Sequence, residues 1–350
     1  MIMYYYSKDF QRLYLLPMFC NATNDGDSLY SMFIYTITLF EFGIHFISLA
    51  GYIPFIKIVH ESRLFHPNLR KFIVFFALLL QLNFPTRTIL LFYEFEVVSV
   101  TGRLAQDWLL LLPCTLRYFL ACVSTLSFFV IINERIAATY FIKDYEQHKR
   151  SWIFGIIMFS FLILGTTVCP LIGFYVSGAR LIVFLCFFLV PLSIFMVGWQ
   201  TLAYYCLLKH NNKLLKELSR DLRPGKRGYH LSMRYQVSEN LRALEMVKKI
   251  VFCLAISGIS NGGLAIFHFI IFDERFPFIG CWMEVATALY VLFFLLTSLW
   301  AVDEWRQKFV DIMFPILGPG KRSETNSLSA PSTDIQAETN AYFQYYSNAW

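Results

Sequence analysis

The sequence predicts an all-α membrane protein: a seven-transmembrane helix bundle with its N-terminus outside the cell and its C-terminus inside. Three observations predict this fold. Hydrophobic residues make up 57% of the 350-residue chain and charged residues only 15%, whereas soluble domains carry about 25% charge. Seven apolar runs each reach the ~20 residues that a helix needs to cross a bilayer about 30 Å thick. Lysine and arginine fall mainly in every second connection between these runs.

The runs divide the chain into an N-terminal extracellular segment, residues 1–30, a bundle at 31–302, and a C-terminal region. The spans are expected at 31–56, 72–93, 108–132, 152–175, 181–208, 250–272 and 282–302. Residues 303–317 have the pattern of an amphipathic helix on the inner membrane surface. The apolar side chains on its one face are Trp305, Phe309, Ile312 and Met313. This segment could equally be the frayed end of the seventh span. The polar tail, 318–350, is expected to be disordered and cytoplasmic.

The distribution of basic residues predicts the orientation. The connections after the first, third and fifth spans, together with the C-terminal tail, hold 23 of the 30 lysines and arginines. The opposite side holds five, and the other two lie within spans. Because basic segments stay in the cytoplasm, the N-terminus is expected outside. The sequon at Asn21 would then face outward, where this asparagine can be glycosylated.

The motifs of two common enzyme classes are missing from the sequence. There is no HExxH and no phosphate-binding glycine loop, so we do not expect an enzyme. The eight cysteines form no CxxC pair and no zinc spacing, so neither a metal nor a cofactor is expected. The net charge of +6 follows the membrane topology and does not indicate nucleic-acid binding. The sequence does not decide whether Cys20 pairs with Cys281, or Cys114 with Cys169, in a disulfide.

Four ionisable residues stand out inside predicted spans, where charge is costly and often functional. They are Glu41, His45, Arg87 and Arg117. The depths of Glu41, Arg87 and Arg117 place these three in the outer half of the bundle, and all four residues are candidates for a ligand cavity. Our hypothesis is that Glu41 pairs with Arg87, which leaves Arg117 for an acidic or strongly hydrogen-bonding ligand group. The alternative is a closed structural network in which both arginines share Glu41 and backbone carbonyls.

The inner end of the third span carries an adjacent acid and base, Glu134 and Arg135. They are candidates for an inner switch, and the alternative is a simple topology anchor. The third inner connection, 209–249, is long and basic, and its second half has helical periodicity. We interpret it as a docking surface for a cytoplasmic partner; a basic anchor with a solvated helix is the alternative.

Three stretches of sequence resemble the serpentine receptor class epsilon (Sre) family of nematode chemoreceptors. They are ERIAATYFIKDYE at 134–146, FLVPLSIF at 188–195 and LSMRYQVSENLRALEMVKKIV at 231–251. The resemblance implies a chemosensory, G protein-coupled type of receptor. Its partners would be the lipid bilayer, a small-molecule cue and a heterotrimeric G protein. It also implies a multi-pass protein of the plasma membrane, in sensory neurons or their cilia. The residues that would face the G protein are Tyr145, Arg234, Tyr235, Gln236, Glu239 and Asn240.

The sequence departs from the pattern of rhodopsin-like receptors. The third span ends in Asn133-Glu134-Arg135 instead of DRY, and the seventh span has no NPxxY. Of the switch residues of rhodopsin-like receptors, only the acid–arginine pair therefore has a counterpart here, Glu134 and Arg135, which match by position and chemistry. A non-signalling channel or transporter is the alternative function, but it predicts an inner repeat, a broken Gly/Pro helix pair or a charged pore ring, and none of these is evident in the sequence. A ligand-gated channel of the insect odorant-receptor kind predicts the opposite orientation.

Overall fold

The computed structural model describes residues 3–7, 12–16, 28–62, 64–103, 105–142, 152, 154–160, 162–163, 190–220, 233–252 and 278–314. Several features of the sequence analysis lie outside these residues. They are the Asn21 sequon, Tyr145, Cys20, Cys169, most of the fourth and sixth predicted spans, and the polar tail.

The described chain begins with a two-stranded antiparallel hairpin that the sequence analysis did not predict. Its strands are β1 Met3–Ser7 and β2 Arg12–Leu16, with Tyr5 opposite Tyr14. Strand β1 contains three tyrosines, and β2 contains three leucines and one tyrosine; aromatic residues favour extended backbone. The rest of the regular structure in the described residues is helical. Its helices are α1 Ser28–Glu61, α2 Pro67–Gln81, α3 Asn83–Glu94, α4 Trp108–Tyr140, α5 154–160, α6 Val190–Arg220, α7 233–252, α8 Phe278–Ala301 and α9 Asp303–Met313.

Within the described part of the chain, three helical stretches are long and apolar enough to cross a membrane. They are Met32–Glu61, Pro67–Glu94 and Cys281–Ala301, and they coincide with the first, second and seventh expected spans. Helix α4 covers the third expected span and continues eight residues past its end, which is about 12 Å at 1.5 Å per residue. Helices α6 and α7 likewise extend beyond the apolar runs. This extra length brings polar residues of α4, α6 and α7 together.

A break at Leu82 separates α2 from α3, and Pro85 explains it. Proline has no amide hydrogen, so a backbone carbonyl one turn earlier loses its helical partner. Side chains bond carbonyls on both sides of the break: the Asn83 amide donates to the Leu80 oxygen (3.0 Å) and the Thr86 hydroxyl to the Leu82 oxygen (2.8 Å). This arrangement lets the chain bend inside a membrane-spanning stretch without leaving these polar backbone groups unpaired.

The main hydrophobic core joins α1, α2, α4, α7, α8 and α9. Helix α9 is fixed to it by Trp305, whose side chain is fully buried. The Trp305 ring meets Phe55 of α1 edge-on, with centroids 5.9 Å apart, and Phe65 of the α1–α2 connection at 5.5 Å. Aromatic pairs in this geometry add stability beyond the area they bury. Further along α9, Ile312 and Met313 remain exposed, as expected for a helix whose free apolar side chains can contact lipid.

Helices α1 and α8 pack closely along much of their length. The Tyr52 hydroxyl of α1 donates to the Val291 backbone oxygen of α8, 2.9 Å away. One residue earlier, Gly51 leaves room for a side chain of α8: a Cβ atom at Gly51 would lie 2.6 Å from Cδ2 of Leu295. Small residues at such positions are how membrane helices pack tightly.

We predict that Gly51→Val destabilises the protein by about 1–3 kcal/mol, because the added carbons would overlap the buried Leu295 side chain. Gly43→Val is the matched control, since a Cβ at Gly43 would meet nothing within 4 Å. Thermal unfolding of the two purified variants in the same detergent measures the difference. Equal melting temperatures for the two variants would contradict the close α1–α8 contact.

Candidate functional site

Arg87 of α3 lies at the centre of a buried group of charges. Its Nε donates to Glu41 Oε1 of α1 (2.8 Å) and its Nη2 to Glu41 Oε2 (3.2 Å). A third donor, Nη1, bonds Glu94 Oε1 at the end of the same helix, 2.8 Å away. The Glu41–Arg87 pair expected from the sequence is therefore present. Its two parallel bonds are the geometry in which arginine and carboxylate interact most strongly.

Arg117 of α4 forms a second two-bond pair with Glu284 of α8. The distances are 2.8 Å from Nη1 to Oε1 and 2.5 Å from Nη2 to Oε2. Glu284 also reaches Arg87, with Oε2 lying 3.5 Å from its Nε. One carboxylate thus links the two arginines into a single network that joins α1, α3, α4 and α8. We call it the arginine network; its members are Glu41, His45, Arg87, Glu94, Arg117 and Glu284.

This network corrects the charge balance expected from the sequence. We counted one acid against two bases and expected Arg117 to lack a protein partner; that expectation was wrong. The described network contains three carboxylates and two guanidinium groups, and its His45 Nε2 lies 3.7 Å from Glu41 Oε1. The acids that we missed were visible in the sequence. Glu284 lies inside the seventh apolar run, and Glu94 directly follows the second.

A second polar group, the Arg135 cluster, lies at the other end of α4. Arg135 is fully buried. Its Nε and Nη2 bond the two carboxylate oxygens of Glu134 (2.5 and 2.6 Å), and its Nη1 donates to Asn240 Oδ1 of α7, 2.9 Å away. The acid–base pair is thus local to α4, whereas the bond to Asn240 crosses between helices. Separating α4 from α7 here would remove a hydrogen bond from a buried charge.

Thr139 extends the cluster to a third helix. Its hydroxyl oxygen lies 3.4 Å from Asn240 Nδ2 of α7 and 3.3 Å from Asn211 Nδ2 of α6. The Arg135 cluster therefore consists of Glu134, Arg135, Thr139, Asn211 and Asn240. It holds α4, α6 and α7 together just where these helices run past the apolar part of the bundle.

The connection between α1 and α2 also contacts α7 at this end. The backbone N–H of His66 donates to the Glu239 carboxylate. The His66 side chain caps α2, because its Nδ1 accepts from the backbone N–H of Asn68 at 3.3 Å. Burial lowers the pKa of His66 from 6.5 to about 3, and the positive charge of Arg135 adds to the effect. A neutral imidazole is also what the cap needs, since a protonated Nδ1 cannot accept a hydrogen bond.

The residues expected to face a G protein occupy two kinds of position. Gln236 and Asn240 are buried, and Asn240 contacts Arg135. Arg234, Tyr235 and Glu239 are partly exposed, and Glu239 binds the His66 backbone. All five were expected to face the G protein. In the structure α7 instead divides them between its packed side and its accessible side.

A small apolar cavity of about 20 Å³ lies between α2, α4, α7 and α8, which is room for about one water molecule. Its lining includes Phe76, Ile131, Val247 and Phe294.

Cys114, one of the cysteines considered for a disulfide, is a free thiol packed in a cluster with Leu90 and Leu110.

These features define a multi-pass helical membrane protein with buried ion pairs joining its helices. The chain belongs to the Sre family: the family model for Sre G protein-coupled chemoreceptors matches residues 12–350. Serpentine receptor class epsilon-1 of Caenorhabditis elegans is 26% identical over 91% of each chain. Serpentine receptor class epsilon-29 of the same organism is 29% identical over 63% of this chain and 60% of its own length. The resemblance read from the sequence is thereby confirmed, and the family is one of receptors, not of enzymes.

We predict that breaking one side of the Arg117–Glu284 pair destabilises the fold more than removing both charges. Arg117→Gln or Glu284→Gln alone leaves a buried charge without its main partner, which costs about 3–5 kcal/mol. The double variant should lose clearly less than the sum of the two single losses. Thermal unfolding of the purified variants measures the coupling, and Arg103→Gln, at an exposed arginine, serves as the control. Additive losses would show that the two side chains do not interact.

We predict an acid-sensitive contribution from His66. Its pKa is lower in the folded protein than in an unfolded chain, so its contribution is complete above pH 6.5 and is lost as the pH falls toward 3. Between pH 6.5 and 5 the loss amounts to at most about 2 kcal/mol. His66→Gln should flatten this part of the stability curve, whereas His210→Gln, at an exposed histidine of α6, should not. Parallel curves for the parent and His66→Gln would refute the assignment.

Proposed function

We propose that this chain is a chemoreceptor that binds a small-molecule cue in the half of the bundle that contains the arginine network. It signals to a heterotrimeric G protein at the half that contains the Arg135 cluster. Seven helices cross the plasma membrane, with the N-terminus outside and the C-terminus in the cytoplasm. Sensory neurons or their cilia are the proposed site of action, as the family description of a chemoreceptor suggests.

The observation that carries this proposal is that α4 contributes an arginine to both polar groups. Arg117 and Arg135 belong to one continuous helix. They are 18 residues apart, or about 27 Å along the axis. Any shift of α4 at Arg117 is therefore transmitted to Arg135. A rigid element that joins two sites is the physical requirement for coupling between them.

At the outer end, Glu41, His45, Arg87 and Arg117 form the floor of the proposed ligand cavity. Because Arg117 is already paired with Glu284, the cue acts by competing with this carboxylate or by strengthening the pair. Either change alters the position of α4 relative to α8. A ligand can shift the balance between two arrangements only by the difference in its affinity for them.

At the inner end, the bond between Arg135 and Asn240 holds α4 against α7 in the resting arrangement. Its loss separates α7 from α4 and opens a cleft for the G protein, lined by the accessible residues of α7. Arg234 and Tyr235 are proposed contacts in this cleft, and Glu239 becomes available once it leaves His66. Tyr145 is proposed as a further contact on the connection that follows α4.

We predict that Asn240→Leu raises basal signalling, because it removes the acceptor that α7 provides for Arg135. A hydrogen bond to a charged group contributes about 1.5–3 kcal/mol, and ~1.4 kcal/mol already shifts a two-state balance tenfold. Glu134→Gln should act in the same direction, and Arg135→Ala should uncouple the receptor without preventing surface expression. Basal calcium or cAMP, measured in cells at matched surface expression, gives the result.

The matched control is Asn212→Leu, which makes the same change at an exposed asparagine of α6 and should leave basal signalling unchanged. If Asn240→Leu and Glu134→Gln both signal like the parent, the cluster is a structural anchor and not a switch.

We predict that a tag on the N-terminus is labelled on intact cells, whereas a tag on the C-terminus is labelled only after permeabilisation. The reason is the excess of lysine and arginine in the connections assigned to the cytoplasm. Surface labelling of the C-terminal tag would overturn the proposed orientation and with it the receptor function.

A further inference from the structure

The seam between α7 and α8 carries a pair of side chains that the proposed signalling mechanism does not use. The Lys249 ammonium of α7 lies 5.3 Å from the centroid of the Trp300 indole ring of α8. Both side chains reach the surface: Lys249 is 32% exposed and Trp300 56%. This contact holds a cation beside an aromatic ring, in a position that a second molecule can approach.

The Lys249 ammonium has donor capacity left over. Glu245 lies one turn earlier in α7. Its carboxylate is 4.0 Å from the ammonium, which is the limit of an ion pair, and its side chain is 71% exposed. An ammonium group has three donors and the indole Nε1–H of Trp300 adds a fourth. Segment 242–249 of α7 also contains Arg242 and Lys248, both exposed, so its formal charge is +2. These donors on two helices suit an anion with several oxygens.

The depth of the pair indicates which anion it meets. Lys249 directly precedes the expected sixth span, and Trp300 lies near the end of the seventh. Tryptophan and lysine at helix ends lie at the level of the lipid headgroups. The abundant oxyanion at this level is the phosphate of a phospholipid. In the proposed orientation this is the cytoplasmic leaflet, where anionic lipids are concentrated.

We propose that Lys249 and Trp300 form a binding site for the headgroup of an anionic phospholipid in the cytoplasmic leaflet. The ammonium and the indole N–H donate to phosphate oxygens, while Arg242 and Lys248 attract the remaining negative charge. A bound headgroup bridges α7 and α8 and so favours the arrangement in which α7 stays packed in the bundle. The choice of the cytoplasmic leaflet rests on the proposed orientation. The donors that would bind the phosphate are independent of that orientation.

The test is a lipid titration of the purified full-length protein in detergent, with bound lipid counted by native mass spectrometry. Phosphatidylserine should bind more tightly than phosphatidylcholine. Lys249→Gln should reduce this preference about fivefold, the effect of losing one basic residue at a membrane surface, and Lys249→Arg should largely keep it. Trp300→Phe should also weaken binding, because it keeps a ring but loses the N–H donor.

The control is Lys308→Gln in α9. Lys308 is an exposed lysine whose ammonium is already paired with Glu304 at 2.7 Å, so its loss should leave the preference unchanged. An equal loss in Lys308→Gln and Lys249→Gln would reduce the effect to general attraction between surfaces and overturn the site. Full displacement of phosphatidylserine by inorganic phosphate would also overturn it, in favour of a free-phosphate site. Neither ligand response nor membrane orientation enters this measurement, so its failure is separate from failure of the receptor function.

Discussion

The pairing of Arg87 and Arg117 with three buried carboxylates is the constraint on which the rest of this structure depends. Arginine stays charged inside proteins, and an unpaired charge within a bilayer costs several kcal/mol. Each guanidinium must therefore keep its acid, and the two-bond geometry fixes direction as well as distance. Sliding α4 by one turn would carry Arg117 about 5.4 Å away from Glu284. The network thus fixes the register of α1, α3, α4 and α8 more strictly than apolar packing could, since lipid tails are as apolar as leucine.

Helix α4 gives this constraint a consequence at the opposite end of the bundle. Its second arginine, Arg135, has a partner on the same helix, Glu134, and one on another helix, Asn240. The local pair neutralises the charge of Arg135 in this arrangement, and the bond to Asn240 is the contact that connects Arg135 to α7. The bond between α4 and α7 is strong enough to favour one arrangement and weak enough to be replaced. An ion pair whose acid and base lay on two different helices would oppose the separation of those helices more strongly.

Whether a helix or a contact of this structure could be predicted from the sequence depends on the interaction that forms it. Apolar runs determine helices directly, because only a helix satisfies its own backbone in lipid; α1, α8 and the α2–α3 stretch were therefore expected. The Glu41–Arg87 pair was also predictable, since both charges lie inside spans at similar depth. Glu94 was missed because it lies one residue past the second apolar run. Glu284 was missed because the seventh run was assigned as a span without its one acid being counted among the buried charges. The contacts of Asn240, Asn211 and His66 depend on how distant helices approach each other, which a single sequence does not encode locally. The N-terminal hairpin was missed because its short aromatic strands precede the long apolar signal.

The distance between the inner ends of α4 and α7 tests the central claim most directly. Spin labels at Tyr140 of α4 and Arg242 of α7, both exposed, would report it by pulsed electron paramagnetic resonance in lipid nanodiscs. If the Arg135–Asn240 bond holds these helices together, the parent gives one narrow distance distribution, and Asn240→Leu adds a population at longer distance. An unchanged distribution in Asn240→Leu would contradict the account, because α7 would then stay in place without the bond.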